Sequence, residues 1–192
     1  MKPLFCILFA TLILTSRAAP SYDYALQDVQ GRLVTQNDFP EQYQLIAFGF
    51  THCPDVCPTT LYDFKQVLTH LEHPERLQPI FITIDPKRDS PETLAQYTGF
   101  FDKRILALSG SRDAIAQTVN NFNASYGYQQ DGKRLDPEQL PENGYIVFHS
   151  TLIYLLDKKG ELIDVFDYQS GAKQLTENVR NAIAAAESGE KP

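Results

Sequence analysis

The sequence is poor in cysteine, methionine and positive charge. Its 192 residues include three cysteines, too few for a disulfide-stapled scaffold, and tryptophan is absent. The 17 basic side chains are outnumbered by 24 acidic ones, which gives a formal charge of −7 and argues against nucleic acid as a partner. Apolar residues make up 43% of the chain, so we expect a globular protein rather than a disordered one.

The first residues have the pattern of a secretory signal peptide. Lys2 supplies a short positive start, an apolar run covers 4–14, and small residues precede a cleavage point after Ala18. A helix of that run spans about 16 Å, whereas the hydrocarbon core of a bilayer is about 30 Å thick. We therefore predict a signal peptide over 1–18 and a mature domain over 19–192, exported to the bacterial periplasm. The alternative is an uncleaved segment that holds the protein loosely at the membrane.

Cleavage would make Cys53 and Cys57 the only thiols, because Cys6 lies in the removed segment. The single methionine, Met1, would be lost as well, so no thioether would remain as a metal ligand. In an oxidising compartment, two neighbouring thiols form a disulfide unless a reductant or a metal prevents it. The cysteine pair is therefore the first candidate for a functional site.

Apolar runs of buried-strand type alternate along the mature chain with segments of helical period. The predicted strands cover 45–50, 77–84 and 105–108. The predicted helices cover 61–71, 90–99, 111–122 and 175–186, with Ser90 and Ser111 as N-caps. Hairpins are predicted at 24–34 and 151–166, whereas the polar segment 127–144 is predicted to be an exposed loop.

This order of elements indicates an α/β sandwich with a mixed central sheet, helices on its faces and an added N-terminal hairpin. Parallel strands are expected in the first half and an antiparallel hairpin near the end. Cys53 and Cys57 fall where the first central strand passes into its helix. Open α/β sheets place their sites at that edge.

The spacing of Cys53 and Cys57 suits metal binding at least as well as redox chemistry. In a regular helical turn, side chains at i and i+4 share one face, with β-carbons about 5–6 Å apart. A disulfide needs about 3.5–4.5 Å, whereas a metal held by two bonds of about 2.3 Å accepts the wider spacing. A helix N-terminus also stabilises thiolate, which is both the nucleophile and the metal ligand. Soft thiolates at low coordination number favour copper(I).

A third ligand would be an imidazole, and the chain has four histidines. His52 adjoins Cys53, so chelation together with both thiols would be strained. His70 and His73 are near the end of the first predicted helix, where a solvated role beside the C-terminal dipole is expected. His149 falls between two strand-like segments that could return to the same sheet edge. Spacing alone leaves two roles open for His149, a satisfied buried side chain or a ligand.

Three blocks carry a specific pattern: FGFTHCPDVCPTTL at 48–61, IDPKRDSP at 84–91 and YIVFHST at 145–151. In this order they resemble the SCO/SenC family, the copper-handling proteins of respiratory oxidase assembly. The resemblance implies a thioredoxin-like fold and one copper ion bound by Cys53, Cys57 and His149. It also implies the dinuclear copper A site of cytochrome c oxidase as client. The expected partners are the copper-bearing oxidase subunit or its assembly factors, and a copper donor protein or a thiol reductant.

One residue departs from the family pattern. Members usually carry an aspartate directly before the ligand histidine, where this chain has Phe148. Successive strand side chains point to opposite faces, so Phe148 need not displace His149, but it removes a negative charge beside the site. The segment 85–89, which is typical of the family, is expected to shape the loop beside the site rather than to supply ligands.

A different class of function uses the same thiols. In a thiol–disulfide oxidoreductase, Cys53 would attack a client disulfide and Cys57 would resolve the intermediate. Thioredoxin-like enzymes usually carry Cys-x-x-Cys and a cis-proline facing it, whereas here Phe148-His149-Ser150-Thr151 occupies the equivalent place. An exported domain with a structural disulfide would explain the cysteines but not His149. A copper chaperone that works by ligand exchange, rather than an enzyme, is the favoured hypothesis.

Overall fold

A computed structural model describes residues 20–189, and the signal peptide predicted over 1–18 lies outside that range. The described chain forms ten strands and four α-helices, joined by short 3-10 turns. The strands are β1 (Ala25–Asp28), β2 (Leu33–Thr35), β3 (Tyr43–Gly49), β4 (Leu77–Thr83), β5 (Leu106–Ser109), β6 (Tyr126–Gln130), β7 (Lys133–Arg134), β8 (Ile146–His149), β9 (Leu152–Leu156) and β10 (Leu162–Asp167). The helices are α1 (Val56–His70), α2 (Pro91–Phe101), α3 (Arg112–Asn121) and α4 (Gly171–Ser188).

The main sheet has seven strands in the order β10-β9-β3-β4-β5-β1-β2. Strands β3, β4 and β5 run parallel, and α1 and α2 provide the crossovers that parallel neighbours require. Strand β9 lies antiparallel to β3 and forms a hairpin with β10. The N-terminal hairpin of β1 and β2 extends the other edge. The predicted α/β architecture, with its mixed sheet and added hairpin, is confirmed.

Local signals in the sequence account for the helix starts. Ser90 caps α2 by accepting a hydrogen bond from the Thr93 N–H, and Pro91 occupies the first turn. Ser111 caps α3 in the same way. Helix α2 continues to Phe101, past the end predicted near 99, because Gly99 does not leave the helical conformation. None of the described helices combines the length and apolar composition needed to cross a bilayer.

The exposed loop predicted over 127–144 is found over 135–144, most of whose residues are exposed, but the prediction is wrong for 127–134. Strands β6 and β7 lie there, and together with β8 they form a second, three-stranded sheet in the order β7-β6-β8. Asp131 and Gly132 turn the hairpin with φ values of 50° and 74°, the left-handed conformations that a two-residue Asp-Gly turn favours. The Asp-Gly pair is a hairpin signal in the sequence, but the residues around it are polar and lack the apolar alternation that indicates strands. The consequence for function is that His149, at the end of β8, belongs to this second sheet.

The core lies on both faces of the main sheet. All seven residues of β3 are buried, which is typical of a central strand covered on both sides. On one face, the rings of Phe48, Phe122 and Tyr154 meet edge to face at centroid distances of 5.1–6.1 Å. On the other, α1 buries an apolar face that includes Leu61 and Phe64. The carboxyl end of β3, which leads to the cysteines, is therefore held in a packed environment.

Gly49, the last residue of β3, is required by close packing. A β-carbon there would lie 2.5 Å from Phe81 Cε2 and 2.7 Å from Cys57 Sγ. Gly49→Ala is therefore expected to lower the free energy of unfolding by about 1–3 kcal/mol through overpacking. Gly99→Ala is the control, because open space surrounds Gly99 and alanine favours the helix by about 1 kcal/mol. Chemical denaturation measures both, and equal effects of the two substitutions would contradict the packing described.

Candidate metal and thiol site

The sequence predicted that Cys53 and Cys57 share one face of a helix, but in the structure only Cys57 lies in the helix. Helix α1 begins at Val56, so Cys57 lies in its first turn and Cys53 lies in the preceding loop. Pro54 accounts for the difference, because proline disfavours the helical conformation of the residue before it. The Asp55 side chain at the N-cap makes no capping hydrogen bond. Instead, the backbone N–H of Cys57 donates to Cys53 Sγ at 3.4 Å, so a sulfur atom takes part in capping the helix.

The imidazole of His149 reaches the thiols from the second sheet. His149 ends β8, where it pairs with Tyr126 of β6. Its Nε2 lies 3.9 Å from Cys57 Sγ, and the ligand atoms of Cys53, Cys57 and His149 all lie within 4.8 Å of one another. Among the residues described, this is the group that could hold a metal ion.

A backbone carbonyl orients the His149 ring. Its Nδ1 lies 2.7 Å from the carbonyl oxygen of Ser150. Because a carbonyl oxygen can only accept a hydrogen bond, Nδ1 carries the ring proton and is the donor. The lone pair on Nε2 is therefore directed to the thiols, as a metal ligand requires. The ring also packs edge-on against Phe50, with centroids 6.0 Å apart. Ser150 and Phe50 were not singled out as functional residues, and a contact through a backbone carbonyl leaves no signal in the sequence.

The two thiols have opposite proton affinities. The hydrogen bond from Cys57 is the main effect that lowers the pKa of Cys53, and the backbone N–H groups of Asp55 and Cys57 add to it, whereas burial opposes it. The same hydrogen bond raises the pKa of Cys57, and burial and the charge of Cys53 act in the same direction. Cys53 is half-buried, whereas only 2% of Cys57 is exposed. The reduced site therefore holds an accessible thiolate beside a buried thiol.

The other histidines lie apart from this group. His52 has 54% of its side chain exposed, and its Nδ1 is 3.1 Å from Thr51 Oγ1. His70 contacts the carbonyl oxygen of Gln66 within its own helix, and His73 lies 3.3 Å from Glu75. The solvated roles predicted for His70 and His73 are thus confirmed. For His149, the sequence left two roles open, and the geometry favours the role of a ligand.

The donor set decides which metals the site suits. Two sulfurs and one nitrogen are soft to intermediate ligands, which favour copper(I) over calcium, magnesium or manganese. A structural zinc site would take four protein ligands, and three are gathered here. Both cysteines are free in the structure, so the same pair is also available for thiol–disulfide exchange.

The fold and the site together define a thioredoxin-like domain with two thiols at the start of its first crossover helix and an imidazole from a neighbouring strand. The SCO1/SenC family model matches residues 14–184. The chain therefore belongs to the SCO1/SenC family, and the resemblance seen in its sequence is confirmed.

Relatives of known structure share the fold along nearly the whole chain. Bradyrhizobium japonicum ScoI with copper bound is 30% identical, with a TM-score of 0.70 over 86% of this chain and 99% of that one. Yeast Sco1 with copper bound is 29% identical, with a TM-score of 0.72 over 88% and 90%. The bovine protein SCO2 homolog, mitochondrial, is 38% identical over 178 residues, which cover 91% of this chain. The chain spans 64% of the length of that bovine relative.

The opposite proton affinities of the thiols predict unequal reactivity. Only thiolate reacts with iodoacetamide, so an ordinary cysteine, with a pKa of about 8.5, slows roughly ten-fold for each pH unit below that value. Because the pKa of Cys53 is lowered, its alkylation should stay fast down to about pH 5, whereas Cys57 should react slowly throughout. Peptide mapping by mass spectrometry measures each rate.

Cys57→Ala provides the control for that experiment. The substitution removes the main hydrogen bond that lowers the pKa of Cys53, so the pH profile of Cys53 should move up, toward that of a free cysteine. An unchanged profile would contradict the origin assigned to the low pKa.

Proposed function

We propose that the protein is a copper chaperone that carries one copper ion on Cys53, Cys57 and His149. The observation that carries the proposal is that two sulfurs and a correctly oriented Nε2 lie within 4.8 Å of one another at one sheet edge. Relatives with 29–30% identity have been solved with copper bound, which supports the choice of metal. Copper is here a cargo, taken up and passed on.

Loading and release follow from the burial of each ligand. Cys53 is already a thiolate, so binding of copper(I) displaces one proton, from Cys57. Cys53 and His149 are partly exposed, whereas Cys57 lies at the bottom of the site. An incoming set of ligands can therefore replace Cys53 and His149 first, and Cys57 leaves last. This order passes the ion on without releasing it into solvent.

The client that we propose is the copper site of a respiratory oxidase, the dinuclear copper A site of cytochrome c oxidase. The copper-bearing oxidase subunit or its assembly factors would take the ion, and a copper donor protein or a thiol reductant would restore the chaperone. We also propose that residues 1–18 are a secretory signal and that 19–192 form the working domain in the bacterial periplasm. An uncleaved N-terminal segment held at the membrane is the alternative.

A second candidate function, thiol–disulfide exchange, is favoured by the accessible Cys53 thiolate beside the buried Cys57 thiol. Cys53 would attack a client disulfide, forming a mixed disulfide and releasing one client thiolate. Cys57, once deprotonated, would attack Cys53 Sγ and release the second client thiol. The client is reduced and the Cys53–Cys57 pair is oxidised. His149 is not required for either of these two exchange steps.

His149→Ala separates the two functions. We expect copper(I) affinity to fall at least about 100-fold, because losses of even outer-shell partners cost 10–100-fold. Disulfide exchange should remain largely intact. An anaerobic competition titration against a copper(I) chelator measures the first property, and reduction of a model disulfide measures the second.

His52→Ala is the matched control, because this histidine adjoins Cys53 but lies outside the ligand group. It should leave copper affinity within about two-fold of the unmodified protein. If His149→Ala kept its copper affinity and lost thiol reductase activity instead, the chaperone assignment would be wrong.

A further inference from the structure

The copper ligands proposed above come from two sheets that share no ladder of hydrogen bonds. The cysteines follow β3 of the seven-stranded sheet, whereas His149 ends β8 of the three-stranded sheet. The distance between the thiols and the imidazole therefore depends on whatever holds these two sheets together. Residues 84–89, between β4 and α2, contact both sides.

One end of this segment holds the cysteine loop. Asp89 is 2% exposed, and its carboxylate accepts hydrogen bonds from the backbone N–H of Thr51 at 3.1 Å and from the Thr51 hydroxyl at 2.6 Å. It also accepts a hydrogen bond at 2.6 Å from Thr83, the last residue of β4. Thr51 lies two positions before Cys53, so the loop that carries Cys53 and leads into α1 is tied to the end of the main sheet.

The other end holds the strand of the histidine. Asp85 is fully buried, and its carboxylate accepts hydrogen bonds from the Tyr145 hydroxyl at 2.8 Å and from Arg88 Nε. The Arg88 guanidinium lies 3.9 Å from the centroid of the Tyr145 ring and donates to the Tyr145 carbonyl oxygen at 3.3 Å. Tyr145 directly precedes β8, and by strand alternation it shares a face with His149.

A further bond secures the neighbouring strand. The hydroxyl of Tyr128, on β6, donates to the carbonyl oxygen of Ile84. The Tyr128 and Tyr145 rings meet edge to face at 5.8 Å. Strand β6, through Tyr128, and the start of β8, through Tyr145, are thus both hydrogen-bonded to the segment between β4 and α2. At the far end, β8 passes through Ser150 and Thr151 into β9 of the main sheet, so His149 lies between two fixed points.

We infer that residues Asp85–Asp89 form a clamp that sets the distance between the two thiols and the imidazole, and that Tyr145 is the positioning residue for His149. The effect of the clamp on copper affinity rests on the proposed copper function. The hydrogen bonds that form the clamp do not depend on that function. Asp89 anchors the cysteine loop, and Asp85 with Arg88 anchors Tyr145. Each of these buried carboxylates joins groups from different segments and so limits their relative movement, and metal ligands must be held to within about 0.5 Å.

The clamp predicts a specific effect of Tyr145→Phe, which keeps the ring over Arg88 and removes only the hydroxyl that bonds Asp85. Copper(I) affinity should fall about ten-fold, the lower end of the losses for outer-shell partners. Tyr24→Phe is the matched control. Tyr24 is also buried, and its hydroxyl donates at 2.6 Å to Gln44 Oε1, near the start of β3 and at the opposite end of that strand from Gly49. That control should leave copper affinity unchanged.

A double-mutant cycle tests whether Tyr145 acts through the histidine. In a His149→Ala background, Tyr145→Phe should weaken copper binding no further, because the group that it positions is absent. An equal loss in both backgrounds would overturn the positioning role. So would an unchanged copper affinity of Tyr145→Phe in the otherwise unmodified protein.

A measurement without copper distinguishes failure of the clamp from failure of the copper proposal. The imidazole NMR resonances of His149 in the reduced, metal-free protein should shift in Tyr145→Phe and stay in place in Tyr24→Phe. If they do not shift in Tyr145→Phe, the clamp is wrong whatever the copper data show. If they shift while neither the unmodified protein nor His149→Ala binds copper, the clamp stands and the proposed cargo is wrong.

Discussion

The structure depends on the convergence of two sheets at the carboxyl end of β3. The seven-stranded sheet brings Cys53 and Cys57 there, and the three-stranded sheet brings His149. Gly49 leaves room at this end of β3 for the Cys57 sulfur and the Phe81 ring, because it has no side chain. Neither sheet alone holds all three donors, so the packing between the sheets decides whether the two thiols and the imidazole can share one ion.

The same electrostatics serve both metal binding and thiol chemistry. The hydrogen bond between the thiols concentrates negative charge on accessible Cys53 and leaves the remaining proton on buried Cys57. A thiolate in this position is a good nucleophile and a good ligand for a soft metal. The imidazole separates the two functions, since ligand exchange uses it and disulfide exchange does not. The Nδ1 bond to the Ser150 carbonyl holds the ring in the tautomer that a ligand needs.

Sequence patterns predicted the main sheet well, because its strands are short apolar runs and its helices start at serine caps. They failed at 127–134, where polar residues of a partly exposed second sheet resemble a loop and only Asp131-Gly132 signals a hairpin. They also placed Cys53 on a helical face, although Pro54 should have argued against it. Spacing alone left the role of His149 open, because the approach of β8 to the thiols is a property of tertiary packing. Thr51 and Ser150 act partly through their backbones, which no residue pattern records.

The most direct test of the account is X-ray absorption at the copper edge on the reduced protein loaded anaerobically with one equivalent of copper(I). The account predicts one ion per chain with a first shell of two sulfurs and one imidazole nitrogen, and no such shell after the cysteines are blocked by alkylation. A first shell of sulfur alone, or an unchanged shell after alkylation, would contradict it.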